Sequence, residues 1–342
     1  MEIFIGLLII AVGAFCQSSC YVPIKKIRDW SWESYWIVQG LFAWLIFPFL
    51  GMLLAVPAGH TLGELFSGAD QFRLWMTILF GVLWGVGGLT FGLSMRYLGV
   101  ALGQSIALGT CAGLGTIMGP VLLNIFFPEQ KPLEALTWSV IIGVIVTLVG
   151  IAVIGVAGGM KSKEIPAEEN SKNEFNFGKG LLIALLAGFM SGCFNVGLEF
   201  GKDINFAGTA PMFKTLPATF LVTLGGFFTN AVYCFWQNTK NHTWKDYRKG
   251  SVWGNNLIFC CLAGLLWYSQ FFGLSLGKGF LTSSPTLMTL AFCILQALNV
   301  VFSNVWGIIL KEWKGCSRKT VTVLVCGLAV LILATFLPQL IR

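Results

Sequence analysis

The chain has 342 residues, of which 56% are hydrophobic and 11% are charged, and its formal net charge is +7. So few charged residues cannot cover a water-soluble domain, in which about a quarter of all residues are charged. The basic residues lie in short clusters between apolar runs, which excludes the continuous basic surface of a nucleic-acid-binding protein. Composition therefore predicts a protein that lies in the lipid bilayer.

Ten apolar runs follow one another along the chain, each long enough for the roughly 20 residues of a membrane-spanning helix. They cover residues 3–24, 34–57, 73–96, 101–126, 136–158, 179–200, 212–236, 252–276, 285–309 and 320–340. The polar stretch 160–178 divides them. We therefore expect a first five-helix repeat at 1–159, a polar cytoplasmic linker at 160–178 and a second five-helix repeat at 179–342.

The distribution of positive charge predicts the orientation in the membrane. The first run begins directly after Met1 and Glu2, without the basic region and cleavage site of a signal peptide, so it is interpreted as a retained helix. Most of the 22 lysine and arginine residues lie in alternate connections that include the 160–178 linker. Because cytoplasmic loops carry the excess of lysine and arginine, both termini are predicted on the outer side.

Short sequences recur between the two halves in the same order. GLLI at 6–9 recurs at 180–183, and GVLW at 81–84 recurs as GLLW at 264–267. Five helices are an odd number, so the second copy has to lie upside down relative to the first. The predicted fold is an all-α membrane protein with ten transmembrane helices in two inverted five-helix repeats, an architecture of secondary transporters that bind substrate near the midplane.

Metal and cofactor chemistry is not indicated. Nine of the ten cysteines fall in apolar runs without metal-ligand spacing, and the only histidines, His60 and His242, lie in separate loops. The predicted spans contain no carboxylate pair and no metalloenzyme motif, so neither a cofactor, a metal nor an enzymatic activity is expected.

Polar side chains inside the spans are the candidate functional residues, because each needs a partner or a water-filled cavity. Ser191, Asn195 and Glu199 lie on one face of the sixth span, and the repeat places Gln17 and Tyr21 at equivalent positions in the first. The alternative is that such amides and hydroxyls only tie helices together.

Aromatic rings beside amide groups favour a sugar as the ligand. The apolar faces of a pyranose stack on aromatic rings, and its hydroxyls pair with the donors and acceptors of glutamine and asparagine. The candidate substrate-binding residues are Gln17, Tyr21, Trp84, Gln104, Asn195, Trp267, Gln270 and Gln296.

Several motifs, in order and over nearly the whole chain, resemble the L-rhamnose–proton symporter family of the drug/metabolite transporter superfamily. These are YVPIKK at 21–26, WSWE at 30–33, FGVLWG at 80–85, MRYLG at 95–99, GLLWY at 264–268, QFF at 270–272 and LKEW at 310–313. The resemblance implies proton-coupled uptake of a sugar, L-rhamnose first, by alternating access in the bacterial inner membrane.

The expected partners are therefore a sugar, a proton and the bilayer, with Glu199 as the candidate proton carrier. It is the acidic residue that lies within a predicted span and away from its first positions, where desolvation favours protonation. The alternatives are the same fold carrying another sugar or a metabolite, and a membrane receptor that binds without transport.

Overall fold

The computed structural model describes residues 1–98, 100–165 and 177–340, and it contains 10 helices that are long and apolar enough to cross a membrane. This confirms the predicted all-helical membrane fold, while the inverted repeat stays a prediction. The helices are α1 Glu2–Ser19, α2 Trp32–Leu53, α3 Gln71–Leu98, α4 Val100–Phe126, α5 Trp138–Glu164, α6 Phe177–Phe200, α7 Leu216–Lys240, α8 Gly250–Phe280, α9 Pro285–Ile309 and α10 Arg318–Leu340. The linker residues 166–176 lie outside the described part of the chain.

The largest difference from the predicted span ends is at α5, which continues to Glu164 instead of stopping at residue 158. Lys161 lies 3.9 Å from the Glu312 carboxylate. The Glu164 carboxylate accepts hydrogen bonds from the Ser317 amide at 2.7 Å and the Thr320 hydroxyl at 2.6 Å. These contacts with the connection between α9 and α10 hold the last turn of α5, although its polar sequence suggested a linker.

The chain folds into two compact units, and each combines segments from both halves of the sequence. The first unit is Met1–Gly85 with Phe200–Thr282, and the second is Val86–Glu199 with Ser283–Arg342.

Glycines bring α1 and α8 into close contact in the first unit. A Cβ atom on Gly277 would lie 2.5 Å from the Ile10 side chain and 2.7 Å from the Gly6 carbonyl oxygen. A Cβ atom on Gly13 would lie 3.1 Å from the Cα atom of Gln270. Small residues of this kind let membrane helices approach until their backbones touch.

Helix α2 contains a wide turn in its middle, because residues Leu41–Ile46 are π-helical. The Phe47 amide donates to the Phe42 carbonyl, five residues back, instead of to the carbonyl four residues back. Pro48 follows directly and has no amide hydrogen to donate. The π turn and Pro48 thus interrupt the α-helical hydrogen-bonding pattern at neighbouring positions in the middle of α2.

In the second unit, α6 packs on α4 and α5 packs on α10 through further glycines. A Cβ atom on Gly192 would lie 3.0 Å from the Gly115 amide nitrogen, and one on Gly150 would lie 2.6 Å from the Leu331 side chain. The helices that carry Asn195 and Gln104 are therefore in backbone contact.

Candidate functional site

Three tryptophans from different helices meet in the first unit, and we call Trp44, Trp84 and Trp267 the tryptophan cluster. The rings of Trp84 and Trp267 lie 5.6 Å apart at 37°. The Trp44 ring stands nearly perpendicular to both, 6.0 Å from Trp84 and 5.9 Å from Trp267. Since Trp84 and Trp267 were both predicted site residues, the structure brings that part of the candidate set together.

Close backbone packing positions the cluster. Gly226 of α7 lies against the Trp84 ring, where a Cβ atom would come within 2.1 Å of Cζ3. Gly264, one turn before Trp267, faces the backbone of α2 at Ala43, where a Cβ atom would lie 2.9 Å from the amide nitrogen. Any larger residue at either glycine would push the helices apart.

The Gln270 amide lies beside the cluster, and Gln17 lies on the neighbouring helix α1. Gln270 is 3% exposed, and its Nε2 atom donates to the Trp267 carbonyl oxygen at 3.2 Å. Gln17 lies one turn beyond Gly13, the residue at which α1 touches Gln270, and its Oε1 atom is buried without a hydrogen-bond partner in the described residues. Two further predicted residues thus lie on the helix pair that carries Trp267.

Trp44 and Gln39 were not among the candidate residues predicted from the sequence. Trp44 lies in the π-helical turn and completes the tryptophan cluster, and Gln39 lies just before that turn. The Tyr268 hydroxyl is buried against Gly51 of α2. The available signal was Pro48 inside an apolar run, which predicts a local break in the helix at the residues just before it.

Two of the predicted amides of the second unit, Asn195 and Gln296, make hydrogen bonds between helices. Asn195 Nδ2 of α6 donates to the Gly115 carbonyl oxygen of α4 at 2.8 Å. Gln296 Nε2 of α9 faces the Cys111 sulfur at 3.8 Å, and its Oε1 atom accepts from Asn299 at 3.1 Å. Both amides join helices of this unit, as polar groups often do in membrane bundles.

The remaining predicted residues are spread over both units. Tyr21 lies on the four-residue helix after α1 and is 55% exposed. Gln104 lies on α4, and its side chain is outside the described set. Glu199 is the penultimate residue of α6, partly exposed, and its methylene groups lie against Gly119 of α4.

A buried polar network holds the connection between α7 and α8 against the start of α2. Asp246 accepts hydrogen bonds from the Ser31 amide and hydroxyl, both at 2.7 Å, and from Lys249 at 2.8 Å. Burial alone raises the pKa of Asp246, but the hydrogen bonds from Lys249, Ser31 and Ser34 outweigh it and lower the pKa from 3.8 to about 2. The carboxylate is therefore ionised throughout the physiological range.

The tryptophan cluster offers neutral aromatic surfaces, and the Gln270 amide lies beside it. Sites for small neutral ligands are built in this way, from apolar walls and a few placed hydrogen-bonding groups. The arrangement suits a ligand with apolar faces and hydroxyl groups.

Comparison with known proteins adds the family. The model of the L-rhamnose-proton symport protein family matches residues 1–340. An L-rhamnose-proton symporter of Yersinia pestis (strain Pestoides F) is 33% identical over 97% of this chain and 96% of its own length. One from Yersinia pseudotuberculosis serotype O:1b (strain IP 31758) gives the same values. The chain belongs to the L-rhamnose-proton symport protein family.

Membership of this symporter family confirms the resemblance that the motifs indicated, and it identifies the chain as a multi-pass membrane transporter and not an enzyme. The match covers all ten spanning helices and thus both compact units. The sugar-binding and proton-carrying residues stay predictions.

Proposed function

We propose that this protein takes up L-rhamnose together with protons across the bacterial cytoplasmic membrane. The observation that carries the proposal is the tryptophan cluster with Gln270 beside it, in a chain of the L-rhamnose-proton symport protein family. Trp84 and Trp267 supply aromatic faces for the apolar side of a deoxyhexose ring, and the amides supply partners for its hydroxyls.

Transport follows the alternating access of secondary transporters, in which one repeat moves against the other around a bound substrate. The paired sequences at 6–9 and 180–183 support an inverted repeat. The excess of lysine and arginine in alternate connections supports termini on the outer side of the membrane. The two relatives named above come from bacteria, which supports the cytoplasmic membrane as the location.

The proton joins the sugar as the coupled ion, and Glu199 is the side chain that we assign to it. Its methylene groups lie against Gly119 of α4, and its side chain is partly exposed. Losing its charge when the proton binds lowers the cost of moving it through the membrane.

The direct test is uptake of radiolabelled L-rhamnose into proteoliposomes that contain the purified full chain and an imposed pH gradient. We expect accumulation that a protonophore abolishes. A competition series of unlabelled sugars then defines the substrate: L-rhamnose should compete at the lowest concentration. If another deoxyhexose competes better, the cargo assignment is wrong, and binding without accumulation would instead indicate a receptor.

A further inference from the structure

Two buried polar atoms on α2 lack hydrogen-bond partners in the described residues, one within the π-helical turn and one just before it. Trp44 is 3% exposed and Gln39 is 2% exposed. Neither Trp44 Nε1 nor Gln39 Oε1 has a partner within the part of the chain that the structure describes. A buried polar group left without a partner costs about 1–3 kcal/mol, so two of them on adjacent turns need a reason.

Packing holds the Trp44 ring in place. The ring lies over Gly40, where a Cβ atom would come within 2.4 Å of Cζ3. Trp36 meets it edge to face at 5.6 Å, and Trp84 and Trp267 bound two further sides. Because the ring is enclosed by other rings, it cannot turn its N–H group towards a backbone acceptor without breaking these contacts.

The backbone explains why the two groups lie where they do. The π turn inserts one residue more than an α-helix would hold, and such turns in membrane-spanning and soluble helices are frequent at functional sites. The Gln39 carbonyl lies at the crossing with α8, where a Cβ atom on Gly264 would be 3.1 Å from its oxygen. Gln39 and Trp44 therefore lie on the stretch of α2 that adjoins Trp267.

We propose that Trp44 and Gln39 are further sugar-binding residues: the Trp44 indole N–H donates to one sugar hydroxyl, and Gln39 Oε1 accepts from another. The inference rests on the proposed function, since it assigns these two groups to the same sugar that stacks on Trp84 and Trp267. A hydroxyl group is both donor and acceptor, so a polyhydroxylated ring satisfies an unpaired N–H and an unpaired carbonyl oxygen together. The rings of Trp84 and Trp267 thus supply apolar surface, while Trp44 and Gln39 on α2 bind hydroxyl groups of the sugar.

The test uses substitutions that remove one polar group and leave an apolar side chain in its place. Trp44→Phe removes the N–H donor and Gln39→Met removes the amide. Trp30→Phe is the matched control, because Trp30 Nε1 is also buried without a partner in the described residues, but its ring contacts Tyr247 and Trp253. Binding of L-rhamnose to each purified full-length variant is measured by isothermal titration calorimetry.

We expect Trp44→Phe and Gln39→Met each to weaken L-rhamnose binding about tenfold, the size of one lost hydrogen bond, while Trp30→Phe binds as the unmodified chain does. Without sugar, the thermal midpoints of Trp44→Phe and Trp30→Phe should both fall, because phenylalanine is smaller than tryptophan and leaves a cavity at either position. A merely structural role for the Trp44 indole would give this lower midpoint and leave affinity unchanged.

Monodeoxy derivatives of L-rhamnose identify the hydroxyl. For the derivative that lacks the hydroxyl bound by Trp44, the unmodified chain and Trp44→Phe should bind equally, whereas the other derivatives should keep the tenfold difference. If L-rhamnose binds the unmodified chain and both variants equally well, this inference is wrong and the proposed function stands. If the unmodified chain binds no L-rhamnose, the proposed function fails and this inference with it.

Discussion

Among single residues, Trp267 and Gln270 lie one turn apart on α8. Trp267 offers a sugar a stacking surface, and Gln270 offers it a hydrogen-bonding amide. Replacing either by alanine should weaken L-rhamnose binding by about 1–3 kcal/mol, because a stacking surface or a hydrogen-bonding amide is lost. The measurement is calorimetric titration of well-inserted variants. Trp138→Ala is the control, since Trp138 is 83% exposed at the start of α5 and should bind normally when replaced. Normal affinity in both α8 variants would remove them from the site.

Glu199 gives the second prediction at this scale. Glu199→Gln should abolish gradient-driven accumulation of L-rhamnose and its pH dependence, but leave exchange of labelled for unlabelled sugar, because only the proton-carrying group is changed. Both activities are measured in proteoliposomes. Glu134→Gln, in the exposed connection before α5, should keep both.

If Glu199→Gln still concentrates L-rhamnose against its gradient, another acid couples the proton. Glu33 would then be the next residue to test. It is buried at the start of α2, where its carboxylate accepts hydrogen bonds from Asn241 at 3.0 Å and Thr243 at 2.8 Å.

The sequence predicted Trp84 and Trp267 as sugar-binding residues, because aromatic rings beside amide groups suit a pyranose ring. It did not predict Trp44, since thirteen tryptophans are spread through the chain and nothing local distinguishes one that closes a cluster from one that meets lipid. The second-unit amides Asn195 and Gln296 were predicted as sugar ligands on the same grounds. Their bonds to other helices depend on tertiary contacts that no local pattern encodes.

Among the helices, α1 and α8 pack closely because the glycines at their contact have no side chain. Gly277→Ala should lower the stability of the folded protein by about 1–3 kcal/mol, because the new methyl group meets the Ile10 side chain and the Gly6 backbone. Gly254→Ala on the same helix should leave stability unchanged or slightly raised, since nothing lies within 4 Å of the added atom. Thermal unfolding in detergent compares them, and equal midpoints would contradict the close packing.

We expect acid to remove the stabilisation that Asp246 gives to the connection between α7 and α8. A carboxylate whose folded pKa is depressed stabilises the fold above its unfolded pKa, and this stabilisation is lost as pH falls through the folded value. For Asp246 the window runs from about 3.8 down to about 2. The unmodified chain should therefore be more stable than Asp246→Asn above pH 4, and the difference should shrink as pH falls through that window.

The measurement is the thermal midpoint of both proteins in detergent between pH 6 and pH 2. Asp70→Asn is the control, because Asp70 caps α3 through the Phe72 amide at 2.8 Å and asparagine caps a helix as well as aspartate does. A difference between the unmodified chain and Asp246→Asn that does not change with pH would contradict the role assigned to the charge.

Helix number and order followed from hydropathy alone, because a spanning helix must be apolar over its whole length. Some ends did not. The last turn of α5 is polar and is held by Ser317 and Thr320, residues far along the chain. Similarly, α2 stops at Leu53 instead of at residue 57, since the position before Pro57 disfavours helix.

At the scale of the whole molecule, the testable quantity is topology. A reporter fused after Arg342 should show an external C-terminus, and one inserted in the 160–178 linker should show the cytoplasm, because the linker belongs to the alternate connections that together hold most of the lysine and arginine residues. Paired alkaline phosphatase and green fluorescent protein fusions measure this. A cytoplasmic C-terminus would overturn the orientation argued from the charges.

The two halves of the sequence and the two compact units of the structure divide the chain differently. The sequence divides at the polar linker, whereas the contacts divide α3 after Gly85 and combine the start of the chain with residues 200–282. Sequence reasoning predicts the two halves from recurring motifs and from the polar linker, and this division stays a prediction. Sequence reasoning could not find the units, which depend on which helices pack together in space.

The π turn should allow α2 to lose one residue and still span the membrane. Removing one residue from an α-helix rotates everything beyond it by about 100°, which turns a lipid-facing surface inwards and normally ruins a spanning segment. Residues Leu41–Ile46 already carry one residue in excess of the α-helical repeat. Deleting Leu41, which is 40% exposed, would let this stretch close into ordinary α-helix with the phase of its two ends preserved. The middle of α2 is thus where the chain can shorten and still cross the membrane in register.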